Sequence, residues 1–153
     1  MMNLPLNTDL TGKVAVVTGA AGALCSVFSK ALAASGAKVA LLGRTYTKVR
    51  KLAEEITAEG GIAKAYECNV LDKAAVFACH EQVLRDLGPC DILLNGAGGN
   101  HPSATTDKEY YEPGDLDADT KSFFDLDEAG VESVFNLNFM GILIPTQAFA
   151  RDM

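Results

Sequence analysis

The run Val14–Thr18 (VAVVT) passes without a spacer into Gly-Ala-Ala-Gly-Ala-Leu-Cys, and no other stretch limits the fold as much. The short apolar run over Lys13–Thr18, rich in valine, predicts a buried strand of a parallel sheet. The small residues of Ala23–Ser35 then predict a helix, stopped by Gly36. The pattern repeats. Lys38–Leu42 reads as a second buried strand, and Thr47–Glu59 as an amphipathic helix with Val49, Leu52 and Ile56 on one face. Ile62–Cys68 reads as a third strand. Asp72 caps a predicted helix running to about Leu87, ahead of Gly88-Pro89, and Asp91–Leu94 is a fourth strand. A long polar segment leads to an apolar helix from about Asp127 onward. Strands alternating with helices long enough to cross a sheet predict an α/β fold: a doubly wound parallel sheet of about four strands, with helices on both faces and right-handed connections.

The 153 residues suit one domain, and 48% hydrophobic content with five prolines predicts a globular one. A net charge of −7 argues against nucleic acid as a partner. The cysteines at 25, 68, 79 and 90 contain no C-x-x-C pair and read as reduced, buried thiols of a cytoplasmic protein. Cys79 and His80 are adjacent on a predicted helix and point to different sides, so no metal site is expected there. The first residues lack a basic start followed by an apolar run, so no leader peptide is expected. No apolar run approaches the roughly 18–20 residues of a membrane span. Gly98–Phe124 is acidic and aperiodic. Asp115, Asp117 and Asp119 alternate as in a calcium loop, but Thr120 and Leu126 stand where glycine and glutamate are required, which favours a solvated acidic loop.

The turn after the first strand is where a Rossmann-type fold holds a pyrophosphate. A helix N-terminus offers unpaired N–H groups and a dipole that favours anions, and glycine lets the backbone come close. Thr18, Gly19, Ala21, Gly22, Ala23 and Leu24 are therefore the candidate cofactor-binding residues of this turn. Ala23 and Cys25 occupy positions where glycine is usual, and both are small. An acidic residue at the end of the second strand would bond the ribose of NAD. Gly43 stands there instead, followed by Arg44, a guanidinium suited to a 2′-phosphate, with Lys48 as a weaker second. NADP(H) is favoured and NAD(H) remains possible.

These motifs, in this order, resemble the short-chain dehydrogenase/reductase family over essentially the whole chain. "TGAAGALC" resembles its T-G-x-x-x-G-x-G cofactor loop. "CNVLD" resembles its D-V segment, with Asn69 in the acid's place beside Val70. "NGAG" (Asn95, Gly96, Ala97, Gly98) resembles N-N-A-G, and "NLNFMG" resembles the helix whose asparagine, here Asn138, joins a catalytic tetrad. "NGAGGNHPSATT", the acidic loop and "FFDLDEAG…NLNFMGILIPTQAFARDM" are similar to the D-mannonate oxidoreductase (fructuronate reductase) branch, which also tolerates a cysteine at the end of the cofactor loop. The resemblance implies hydride transfer between a nicotinamide and the carbonyl or alcohol of a sugar acid. His101, just after the fourth strand, is a candidate for binding that substrate.

The family's chemistry also needs a tyrosine with a lysine four residues on. Tyr46, Tyr66, Tyr110 and Tyr111 are followed at that spacing by Arg50, Val70, Gly114 and Asp115. The expectation is one NAD(P)-binding Rossmann domain over 1–153, truncated at its C-terminus. It forms the N-terminal portion of an oxidoreductase, binds nucleotide weakly alone, is inactive alone, and is homo-oligomeric in full-length form. Two alternatives remain: a non-catalytic nucleotide-binding module or scaffold, and a sugar-nucleotide epimerase-like branch, whose loop Gly19 and Gly22 also fit but whose usual H-x-A-A is replaced by "NGAG".

Overall fold

A computed structural model describes residues 8–117 and 119–153. Residues 1–7, on which the leader reading rests, lie outside them. Four parallel strands form one sheet: β1 (Val14–Thr18), β2 (Lys38–Gly43), β3 (Ile62–Glu67) and β4 (Ile92–Asn95), in the order β3-β2-β1-β4. Between them run α1 (Ala23–Ala34), α2 (Tyr46–Ala58) and α3 (Lys73–Asp86). The predicted α/β architecture is the observed one.

Alternate residues of the central strands face opposite sides. Val14, Val16, Ala40 and Leu42 pack with Val76, Val83, Ile144, Ala148 and Phe149. Ala15, Val17, Val39 and Leu41 pack with Ala33, Val49, Leu52 and Ile56. Two layers of helix therefore cover the sheet, and this is why β1 and β2 read as unbroken apolar runs.

Local signals set the helix ends. The Asp72 carboxylate accepts a bond from Ala75 N–H at 3.0 Å, capping α3. After α2, Gly60 has φ +87°, Gly60 N–H bonds Thr57 O at 3.0 Å, and Gly61 N–H bonds Ile56 O at 3.0 Å. This paired closure requires a left-handed residue, which glycine supplies without strain.

The segment after β4 is more ordered than its composition suggests. It contains short 3₁₀ turns at Pro102–Ala104, Asp115–Asp117 and Phe123–Asp125. Asp115 is buried, and its carboxylate accepts from Lys108 Nζ at 2.7 Å and from Glu112 N–H at 2.8 Å. The single terminal helix expected from about Asp127 is instead α4 (Glu128–Phe135) and α5 (Gly141–Phe149), separated by a wider turn over Asn136–Met140 in which Gly141 N–H reaches back to Asn136 O. Among the described residues no helix is long and apolar enough to cross a membrane.

Two carboxylates tie distant parts of the chain together. Asp152 meets His80 Nε2 at 3.0 Å and accepts from Cys90 N–H at 2.9 Å, clasping the last turn to α3 and to the approach to β4. Asp91 accepts from Lys13 Nζ at 2.8 Å and Val14 N–H at 2.9 Å, joining the entries of β1 and β4. The Lys13 bond, then that of Val14, holds the Asp91 carboxyl below the usual carboxylate range.

Asp152→Ala should lower stability by about 1–3 kcal/mol in urea denaturation, because Cys90 N–H loses its acceptor away from water. The Asp91 contribution is present above the ordinary aspartate value of about 3.9 and is lost as pH falls through its lower folded-state value. Melting temperatures measured from about pH 7 down to about pH 3 should therefore show a shallower acid limb for Asp91→Asn than for the parent. Identical limbs would remove this role.

Candidate functional site

The carboxyl ends of β1, β2, β3 and β4 open on one side of the sheet, and the loops leaving them line a cleft. Its volume is about 530 Å³, and Gly19, Gly22, Arg44, Val70, Gly96, Ala97 and Gly98 line it, together with Gly43, Cys68 and Leu137. A second hollow of about 500 Å³ shares Gly19, Gly22, Gly43 and Arg44 and adds Ala21 and Lys48. Nine residues singled out from the sequence thus line these two adjoining hollows.

The turn after β1 forms the first wall. Gly19 has φ +62°, and a Cβ there would meet Gly96 O at 2.7 Å and Ala97 Cα at 2.9 Å. Only glycine meets both conditions. Gly22 caps α1 without a side-chain bond, and the first turn of α1 holds no acidic side chain. The positive end of the helix dipole is therefore uncompensated and faces the cleft. Ala23 and Leu24 are exposed at the rim and line neither hollow. Thr18 is fully buried, and its hydroxyl accepts from Gly96 N–H at 3.1 Å and Ala97 N–H at 3.2 Å. It holds the walls together from beneath.

The exit of β2 forms the mouth. A Cβ on Gly43 would meet Val49 Cγ1 at 2.7 Å, so α2 packs where an acidic side chain would begin. Arg44 and Lys48 are exposed, and neither side chain has a hydrogen-bond or ion-pair partner among the described residues. A guanidinium and an ammonium thus stand unneutralised beside the hollow, on a chain whose net charge is −7.

The exits of β3 and β4 form the far wall. Val70 is buried against the cleft, whereas Asn69 is exposed and its Oδ1 accepts from Leu71 N–H at 3.2 Å. Asn95 turns away from the cleft. Its Nδ2 donates to Thr146 Oγ1 at 3.0 Å, and its Oδ1 is buried without a partner. Asn138 sits in the wide turn between α4 and α5. Its Nδ2 donates to Gly99 O at 2.7 Å and Val134 O at 2.8 Å, and its Oδ1 accepts from Gly99 N–H at 3.1 Å. One amide therefore pins the loop after β4 to the helix. A Cβ on Gly98 would meet Asn138 Oδ1 at 2.7 Å. His101 lies apart from both hollows, where its Nδ1 meets Ser103 Oγ at 2.8 Å and caps the Pro102–Ala104 turn. Cys68 and Leu137 escape a sequence reading because an apolar residue beside a motif reads as core.

The sequence pattern of the short chain dehydrogenase family matches residues 13–153. An uncharacterised oxidoreductase of Haemophilus influenzae is 49% identical over 99% of this chain and 53% of its own length. The crystal structure of a candidate D-mannonate oxidoreductase from Haemophilus, with bound NAD, superposes with a TM-score of 0.90 at 50% identity, covering 96% of this chain and 52% of that one. A metagenomic short-chain oxidoreductase in complex with NADP superposes with a TM-score of 0.71 at 29% identity, covering 94% and 57%. The chain spans about half the length of the curated relatives it matches. With its motifs gathered at the carboxyl edge of the sheet, the chain belongs to the short-chain dehydrogenase family.

Proposed function

We propose that residues 1–153 form one nucleotide-binding domain. It would supply the dinucleotide site of an oxidoreductase that moves hydride between a nicotinamide and the carbonyl or alcohol carbon of a sugar acid. The observation that carries this reading is the cleft of about 530 Å³, bounded by a helix N-terminus with no side-chain cap and by the unpaired Arg44. Such a cleft suits a ligand with a phosphate at its centre. A bound nicotinamide cofactor would donate or accept the hydride.

The chain's own residues bind and orient. Gly19, Gly22 and the N–H groups at Ala23 and Leu24 approach the pyrophosphate. Val70, beside Asn69, walls the adenine side. Gly96, Ala97 and Gly98 form the floor below the nicotinamide end. Asn138 contributes to catalysis by fixing that floor through Gly99. His101, with Ser103 beside it, meets the sugar acid at the edge of the site. No tyrosine of these residues has a lysine four positions on, so this chain alone should not turn over substrate. The exposed Phe135, Phe139 and Ile142 support a homo-oligomeric full-length form. The four free cysteines support a reducing, cytoplasmic setting.

Two observations pull the cofactor in different directions. Gly43 in the acid's place, with Arg44 and Lys48 unpaired, favours NADP(H). The NAD held by the 50% identical Haemophilus protein favours NAD(H) as the second reading.

Titration of both cofactors by fluorescence decides between them. Arg44→Ala should weaken NADPH binding roughly 10- to 100-fold, the loss of one or two charge-assisted bonds, and leave NADH nearly unchanged. NADH binding tighter than NADPH, with both Kd values unmoved by the substitution, would assign NAD(H). Replacing His101 should raise KM for a sugar acid in the full-length enzyme, and an unchanged KM would remove it from the substrate site.

A further inference from the structure

Cys25 and Gly96 both depart from the patterns their loops resemble, and the structure brings the two departures into contact. Cys25 lies in the first turn of α1 and is 7% exposed. Its Sγ faces Gly96 O at 3.8 Å. A Cβ built on Gly96 would overlap that sulfur, and would lie 3.0 Å from Thr18 O and 3.3 Å from Leu94 Cδ2. Gly96 is not among the glycines with positive φ, so its backbone accepts any residue. Glycine is required at 96 for space, and Cys25 is the main occupant of that space.

We infer that Cys25 and Gly96 are one co-adapted unit. The thiol fills the volume an asparagine side chain at 96 would otherwise enter, and their contact sets the separation of the two cleft walls, making Cys25 a positioning residue for the nucleotide. The wall leaving β1 meets the wall leaving β4 where Gly19 stands against Gly96 and Ala97, where Thr18 lies beneath them, and where Cys25 sits behind Gly96. The first two contacts use backbone and a buried hydroxyl that a family pattern with glycine at position 25 would share. The third is particular to this pair. Burial pushes the Cys25 thiol up, so it stays protonated at neutral pH and can donate weakly to Gly96 O. Close-packed walls transmit such a contact, because neither side can relax without opening a void or a clash.

The effect on binding rests on the nucleotide reading above, whereas the packing itself does not. A thermodynamic cycle of Gly96→Asn, Cys25→Gly and the double variant, made in the purified protein, separates them. Melting temperature and Kd for NADH and NADPH are read on each. Gly96→Asn alone should lower the melting temperature and weaken the preferred nucleotide by about tenfold or more. Adding Cys25→Gly should recover most of both losses, to within about threefold of the parent Kd; the close Thr18 and Leu94 contacts account for the remainder. Gly96→Ala, with and without Cys25→Gly, gives the same cycle with a smaller clash should the asparagine variant fail to fold. Additive effects in both readouts would overturn the pairing. Coupled melting temperatures with an unchanged Kd would overturn the positioning role and leave only packing. A parent protein that binds neither nucleotide, while melting temperatures still couple, would sink the nucleotide reading and the positioning role with it.

Discussion

Two backbone N–H groups, those of Gly96 and Ala97, point at the one buried hydroxyl of Thr18. This arrangement joins the last residue of β1 to the first residues beyond β4, which are far apart in the chain but adjacent in the sheet. Both N–H groups sit where the ladder ends and no further strand residue can accept from them. Without the hydroxyl each would need water, and water at that point would part the walls of the cleft. The close approach of Gly19 to Gly96, the seat of Cys25 behind it and the floor of the cleft all follow from that tie. Asn138 performs the matching task one turn later, holding Gly99 by both its N–H and its carbonyl. The loop after β4 is thus secured at two points, and neither depends on a ligand.

Charge is distributed against the average. The chain is acidic overall, yet the mouth of the cleft carries Arg44 and Lys48 without partners among the described residues, while Lys13, Lys30, Lys64 and Lys108 are all engaged by carboxylates. Two cations exposed beside the uncapped end of α1 suit an anionic ligand at that mouth.

The sheet and its helices were legible because burial on both faces writes itself as continuous apolar runs, as in Val14–Thr18, and because Asp72 and Gly60 act through purely local bonds. The turn after β1 was legible for the same reason, since it needs glycine at 19. What stayed hidden depends on contacts between distant segments. Cys25 and Gly96 read as two separate irregularities, and only their adjacency shows that each accounts for the other. The break between α4 and α5 was invisible because an i→i+5 turn uses the same apolar residues as a regular helix; the cue, Asn138, acts through Gly99, which lies in another loop. The order within the acidic segment rests on Lys108 reaching Asp115, a pairing that charge composition alone does not specify. His101 stood out as a polar residue beside a strand end, but its nearest partner is its own neighbour Ser103.

Strand order also has a consequence in time. Ala15 pairs with Val39 on one side and with Ile92 on the other. The first partner emerges early in synthesis, whereas the second must wait for two further helices and a strand. Parallel pairing over such a separation is slow to form, and until it forms one edge of an uncharged, β-branched strand lies open. Val14–Thr18 has the composition that adds to other open edges. The bonds of Asp91 to Lys13 and Val14 belong to the state in which this edge is closed, so a chain that has not yet made them still offers it to other strands.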